Sequence, residues 1–119
     1  MGKKWLKNER DVMDELGLRA TVRSGAGWLD KEDGASELNE GDFAEIIAQL
    51  KSTEGKGIKI DRAIINELIY HAQMSHRKPV LILDYIDDYK LICVRPEDLI
   101  EVTKTFAKLW RRKKKNGKK

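Results

Sequence analysis

The chain has 119 residues, of which 40% are hydrophobic and only two are proline, a length and composition that fit one folded domain and exclude two domains or a disordered chain. No apolar run approaches the roughly 20 residues of a membrane span, and the opening MGKKWLKNER lacks the apolar centre of a signal peptide. No membrane partner is therefore expected, and the location expected is cytoplasmic (the host cytoplasm if the source is viral).

The single cysteine, Cys93, excludes an internal disulfide and a Cys-rich zinc site, and its apolar neighbours in LICVR suggest a core position. Charge is unevenly spread. The last nine residues, RRKKKNGKK, hold seven of the 24 Lys and Arg, leaving 17 basic against 20 acidic residues elsewhere. The body is thus near −3 and the end +7. Residues 1–110 form the expected domain, and 111–119 a basic, disordered tail whose Arg111, Arg112, Lys113 and Lys114 suit a polyanion.

Residues 4–16 read as a first helix closed by Gly17. Trp5, Val12, Met13 and Leu16 form its apolar stripe, and Glu9 falls within that stripe, where a carboxylate needs a partner. LRATVRSGAGW (18–28) has the alternation of a strand running into a turn, and LDKEDGASELNEG (29–41) reads as a loop. FAEIIAQLKST (43–53) is a second strand and IKI (58–60) a short third. Asp61 is the expected N-cap of a helix through residue 76, with VLILDY (80–85) a central strand covered on both faces. A turn at Asp87-Asp88, a strand YKLICV (89–94) and a helix opened by Pro96 complete the chain. The order α-β-β-β-α-β-β-α predicts an α/β fold, a mixed sheet with helices packed against it.

Residues two apart on a strand share a face, so Gln49 and Lys51 project together. With Asp42 upstream and Glu9 inward from the first helix, two carboxylates, an amide oxygen and an ammonium can meet at one sheet edge. Mg²⁺ accepts such oxygens, and a neighbouring lysine can orient a water and stabilise charge on phosphate. The alternative for Lys51 is a lysine snorkelling from an edge strand. His71 and His76, five apart, read as surface or capping residues, not zinc ligands.

Taken in order, Asn8-Glu9-Arg10, VRSGAG (22–27), Gly41-Asp42, Gln49-Leu50-Lys51 and Lys78-Pro79 before an apolar strand resemble the PD-(D/E)xK nucleases. Within them the pattern is similar to the archaeal and phage Holliday-junction resolvases of the Hjc type, over about residues 4–100. The resemblance implies a restriction-endonuclease-like mixed β-sheet flanked by helices and a Mg²⁺ (or Mn²⁺) centre. Its catalytic residues would be Glu9, Asp42, Gln49 and Lys51, with metal oxygens from Glu9, Asp42, Gln49 and the carbonyl of Leu50. Arg10 and Arg23 would contact phosphates, with Ser24 close by.

Two departures stand out. Gln49 occupies a glutamate position, and six residues between Asp42 and Gln49 is a short gap for two ligands of one metal. Glu45 and Asp33 are therefore alternative acids to Asp42. The function expected is a structure-selective endonuclease, a homodimer cutting four-way DNA junctions. The alternatives are a related nuclease acting on flaps or DNA ends, and a catalytically silent DNA-binding module.

Overall fold

One strand organises the molecule because its alternate residues are apolar in two directions. Over residues 46–50, Ile46, Ala48 and Leu50 face one side and Ile47 the other, and all four are buried. The computed structural model describes residues 2–20 and 33–116, with side chains over 9–20 and 33–113. Its elements are α1 (Gly2–Glu15), β1 (Arg19–Ala20), β2 (Gly34–Ala35), β3 (Ile46–Thr53), α2 (Arg62–Met74), β4 (Lys78–Tyr85), β5 (Lys90–Cys93) and α3 (Leu99–Asn116). A 3-10 turn at Pro96–Asp98 leads into α3.

The strands form one mixed sheet in the order β1-β2-β3-β4-β5. β3 and β4 are parallel, with Ile46 opposite Lys78 and Thr53 opposite Tyr85, and the other pairs are antiparallel. A parallel pair needs a crossover, and α2 provides it. Val12, Met13 and Leu16 of α1 and Val102, Phe106 and Leu109 of α3 pack with Ile46, Ala48, Leu50, Val80 and Ile82. On the opposite face Leu68 and Ala72 of α2 cover Ile47 and Leu81. At about 1.5–3 kcal/mol for each fully buried large side chain, the α1/α3 layer supplies most of the burial energy. The α/β architecture and the count of three strands before α2 agree with the sequence reading.

Local chemistry sets the boundaries. Gly17, with φ of 79°, ends α1, and a Cβ there would lie 3.2 Å from that of Leu109. Asp61 caps α2 by accepting from the Ile64 N–H at 3.1 Å. Asp87, with φ of 65°, forms the expected turn between β4 and β5.

Three expectations change. IKI is not a strand; the third strand before α2 is β2, inside the stretch expected to be a loop. With only Gly34 and Ala35 and no β-branched residue, β2 carries no readable alternation and exists because β3 pairs with it. Cys93 is exposed, because β5 is the outermost strand and its Leu91 and Cys93 face lies uncovered. Finally, α3 runs to Asn116, well into the segment expected to be disordered. The Trp110 indole N–H donates to the Leu16 carbonyl at 3.0 Å, and the Lys113 ammonium lies 3.5 Å from the Asp14 carboxylate. Both anchor that segment, and basic residues also suit a helix C-terminus. Among the described residues no helix is long and apolar enough to cross a membrane.

Candidate active site

The face of β3 that carries Ile47 continues as Gln49 and Lys51. Ile47 is sealed beneath Leu68 and Ala72, whereas Gln49 and Lys51 are only half-buried. Among the described residues neither side chain has a hydrogen-bond or ion-pair partner. A half-buried ammonium without a carboxylate is costly unless water or an anionic ligand reaches it.

The carboxylate that meets this part of the strand is Asp33, the residue just before β2. Its backbone N–H donates to the Ala48 carbonyl at 2.9 Å, and its Oδ2 accepts from the Leu50 N–H at 2.7 Å. Asp33 is 1% exposed. β2 starts at Gly34, so the carboxylate takes the place of the backbone partner that a longer strand would offer Leu50. In an antiparallel pair the N–H and C=O of one residue point to the same neighbour, so the Leu50 carbonyl also faces this edge. Asp33, Gln49, the Leu50 carbonyl and Lys51 thus share one end of the β2–β3 pair.

Glu9, expected in this site, stands on α1, which packs on the Ile46, Ala48 and Leu50 face of β3, opposite Gln49 and Lys51. Met13 packs against Gly34 so closely that a Cβ at residue 34 would strike its sulfur. Glu9 lies one turn before Met13, about 6 Å along the axis, and is half-buried. β1 runs towards Asp33, with Arg19 opposite Ala35 and Ala20 opposite Gly34. The turn at Gly17 reverses α1 relative to β1, so the helix carries Glu9 in that same direction.

Asp42 does not join Gln49 and Lys51 either. It stands exposed on a turn four residues before β3, and Gln49 lies a further three residues into the strand. Those three strand steps alone amount to about 10 Å. Glu45 is committed elsewhere: its Oε1 accepts from the Ser36 hydroxyl at 2.5 Å and the Leu38 N–H at 3.1 Å, its Oε2 from the Asn39 N–H at 2.8 Å. Burial pushes the Glu45 carboxyl up, but those hydrogen bonds and the Arg77 charge outweigh it and hold it below the usual carboxylate range. Of the three acids that the sequence offers, Asp33 alone bonds to the stretch of β3 that carries Gln49 and Lys51, through the Leu50 N–H. The signal for it was faint: an Asp-Gly pair sixteen residues before Gln49, the span of a strand-loop-strand return.

Arg10 is exposed on α1. Arg111, Arg112 and Lys113 stand at the end of α3 docked on the C-terminus of α1, the end remote from Glu9. Arg23 and Ser24, and the side chain of Lys114, lie outside the described residues. His76 is exposed beyond α2 and His71 lies in its last turn, as expected of surface or capping residues.

Among the described residues no three His, Cys, Asp or Glu side chains gather at metal-holding distance. A cation here would draw on Asp33, the Gln49 amide oxygen and the Leu50 carbonyl, without Glu9, which α1 holds on the other face of β3. That oxygen-only, low-charge set suits Mg²⁺, which keeps several waters and is completed by substrate phosphates. Comparison with family models, with curated proteins and with solved structures found no match.

Proposed function

We propose that the chain is a Mg²⁺-dependent, structure-selective DNA endonuclease that cuts four-way junctions as a homodimer. One observation carries the reading: Asp33 grips the Leu50 N–H on the strand that presents Gln49 and Lys51, and those two polar ends have no partner among the described residues. The element order and the mixed sheet are consistent with the restriction-endonuclease-like arrangement that the resemblance implies.

When bound, Mg²⁺ would polarise the scissile phosphate and lower the pKa of a coordinated water. Asp33, Gln49 and the Leu50 carbonyl would hold it at the sheet end. The hydrogen bond from Leu50 keeps the Asp33 carboxylate from rotating away, so its orientation is set before substrate arrives. Lys51, stiffened by its strand, would orient the attacking water and neutralise charge growing on the phosphate oxygens. Arg10 and the basic end of α3 would contact phosphates without reading bases.

A second reading, a DNA-binding module without cleavage, is favoured by the neutrality of Gln49, which leaves Asp33 as the strand pair's one anionic donor. Incubating the protein with synthetic four-way junctions, flaps and linear duplex in Mg²⁺ or Mn²⁺ separates the possibilities. Paired symmetric nicks confined to junctions are expected. Nicks confined to flaps or ends would change the substrate, and binding without nicks would favour the silent module.

A further inference from the structure

The described cations differ in their partners, and those without a carboxylate among the described residues include Arg10, Lys104, Arg111 and Arg112 as well as a run after β3. Arg19, Lys78, Lys90, Arg95, Lys108 and Lys113 each pair with a carboxylate. Lys51, Lys56, Lys59 and Arg62 pair with none among the described residues. These four follow one another from the end of β3, through the connection 54–61, to the first residue of α2. Because α2 is the crossover between parallel strands, its N-terminus lies at the pole of the sheet where β3 ends. The four cations therefore lie towards the pole where β3 ends, from Lys51 onward.

The connection is built for contact with an anion rather than for burial. Lys56, Lys59 and Arg62 are exposed, and Gly55 and Gly57 flank Lys56. Nothing lies within 4 Å of the place a Cβ would take at Gly57. Of the two acids in the stretch, Asp61 is occupied in capping Ile64 and Glu54 is already engaged. Ile60 turns inward against the α2 core. A membrane-seated segment would present apolar side chains beside its lysines, and here Ile58 is half-buried and Ile60 packed. What remains on the surface is positive charge on long, adaptable side chains, the chemistry that follows a sugar-phosphate backbone without reading sequence.

We infer that Lys56, Lys59 and Arg62 form a phosphate-binding ledge that holds the DNA backbone flanking the phosphate presented to Lys51. The inference rests on the nuclease reading for its orientation. It makes the catalytic pole itself an electrostatic binding surface, independent of the basic end of α3. The ledge acts in binding and not in chemistry, so its loss weakens affinity and leaves the rate at saturating DNA intact.

The test uses the full chain with Lys56→Gln, Lys59→Gln and Arg62→Gln combined, beside a triple variant of equal charge change, Lys90→Gln, Lys104→Gln and Lys108→Gln. Circular dichroism checks the fold of both. Fluorescence anisotropy with a labelled four-way junction and a labelled duplex, in EDTA and across a salt series, gives the binding slope. Each lost phosphate contact lowers the slope of log K against log salt by about 0.9, so the ledge variant should lose about 2–3 and bind about tenfold or more weaker at low salt. The control should stay near wild type. Equal slopes in ledge variant and wild type, equal losses in both variants, or no wild-type binding to either DNA would overturn the ledge. Wild-type binding without cleavage would instead defeat the nuclease reading, and the slopes would still decide the ledge.

Discussion

The two poles of the sheet are finished in opposite ways. Where β3 and β4 begin, polar groups are paired almost atom for atom. The Lys78 N–H donates to the Glu45 carbonyl at 2.8 Å, and the Ile46 N–H to the Ser36 hydroxyl at 2.7 Å. The Thr105 hydroxyl donates to the Ala44 carbonyl at 2.6 Å, and Asp98 takes Arg95 at 2.7 Å and Lys78 at 3.6 Å. From the middle of β3 to its end, Asp33 is tied down, but Lys51 and three further cations have no carboxylate among the described residues. The first pole spends its polar groups on stability. The second also pairs Ser52 with Asp84 and Gly55 with Thr53, yet it leaves several cations without a carboxylate among the described residues, and that contrast marks the candidate functional ones.

The largest effects should come from the open pole. Lys51→Ala and Asp33→Asn should each cut junction cleavage by about 10²–10³-fold or more, as removal of one transition-state-stabilising group does. Binding and melting temperature should hold, since Asp33→Asn keeps an acceptor for the Leu50 N–H. Single-turnover cleavage beside thermal melting measures both. Asp42→Ala should leave the rate unchanged, and a loss matching that of Lys51→Ala would return Asp42 to the site.

At the closed pole Asp98→Ala removes the buried carboxylate that Arg95 and Lys78 share and leaves them Glu97 and Glu101 at 3.9 Å. The expected cost is about 3 kcal/mol, in the range for breaking a buried pair, read by urea unfolding with cleavage unaffected in folded protein. A loss below about 1 kcal/mol would mean that the pair behaves like a surface salt bridge.

Glu45→Gln should cost about 1–2 kcal/mol at pH 7 by weakening its charge-assisted hydrogen bonds. Its carboxyl is held below the usual range when folded. The stabilisation is therefore complete above the unfolded value of about 4.3 and fades as pH falls through the folded value. Melting curves of wild type and variant should converge as pH falls below the unfolded value of about 4.3; a gap that does not narrow there would contradict this account.

The smallest effect should be that of Gln49→Glu, which adds one charge to the proposed donor set and should lower the Mg²⁺ needed for half-maximal cleavage by about threefold or more. A higher requirement would remove Gln49 from that set.

Much of this molecule is legible in its residues. The inward stripe of α1, the Asp61 cap, the apolar run of β4 and the Gln49–Lys51 face of β3 are all local patterns, written in helical or strand periodicity. The carboxylate that bonds to this stretch of β3 was not legible. Asp33 precedes a two-residue strand of glycine and alanine, within a polar stretch that has no period of its own. Asp42, closer in sequence, was the natural choice, yet a strand carries chain neighbours apart at about 3.3 Å per residue. The exposed setting of Cys93 was equally hidden, since an edge strand and a central one can share the same apolar letters.

By itself, then, the sequence determined the elements, the two-sided burial of the central strands, and the pairing of an amide with an ammonium on one face. Only the tertiary structure decided which carboxylate bonds to the backbone between them and which cations have no carboxylate among the described residues. Periodicity acts within a segment through backbone geometry, whereas the return of β2 onto β3 and the covering of each face depend on contacts between segments distant along the chain.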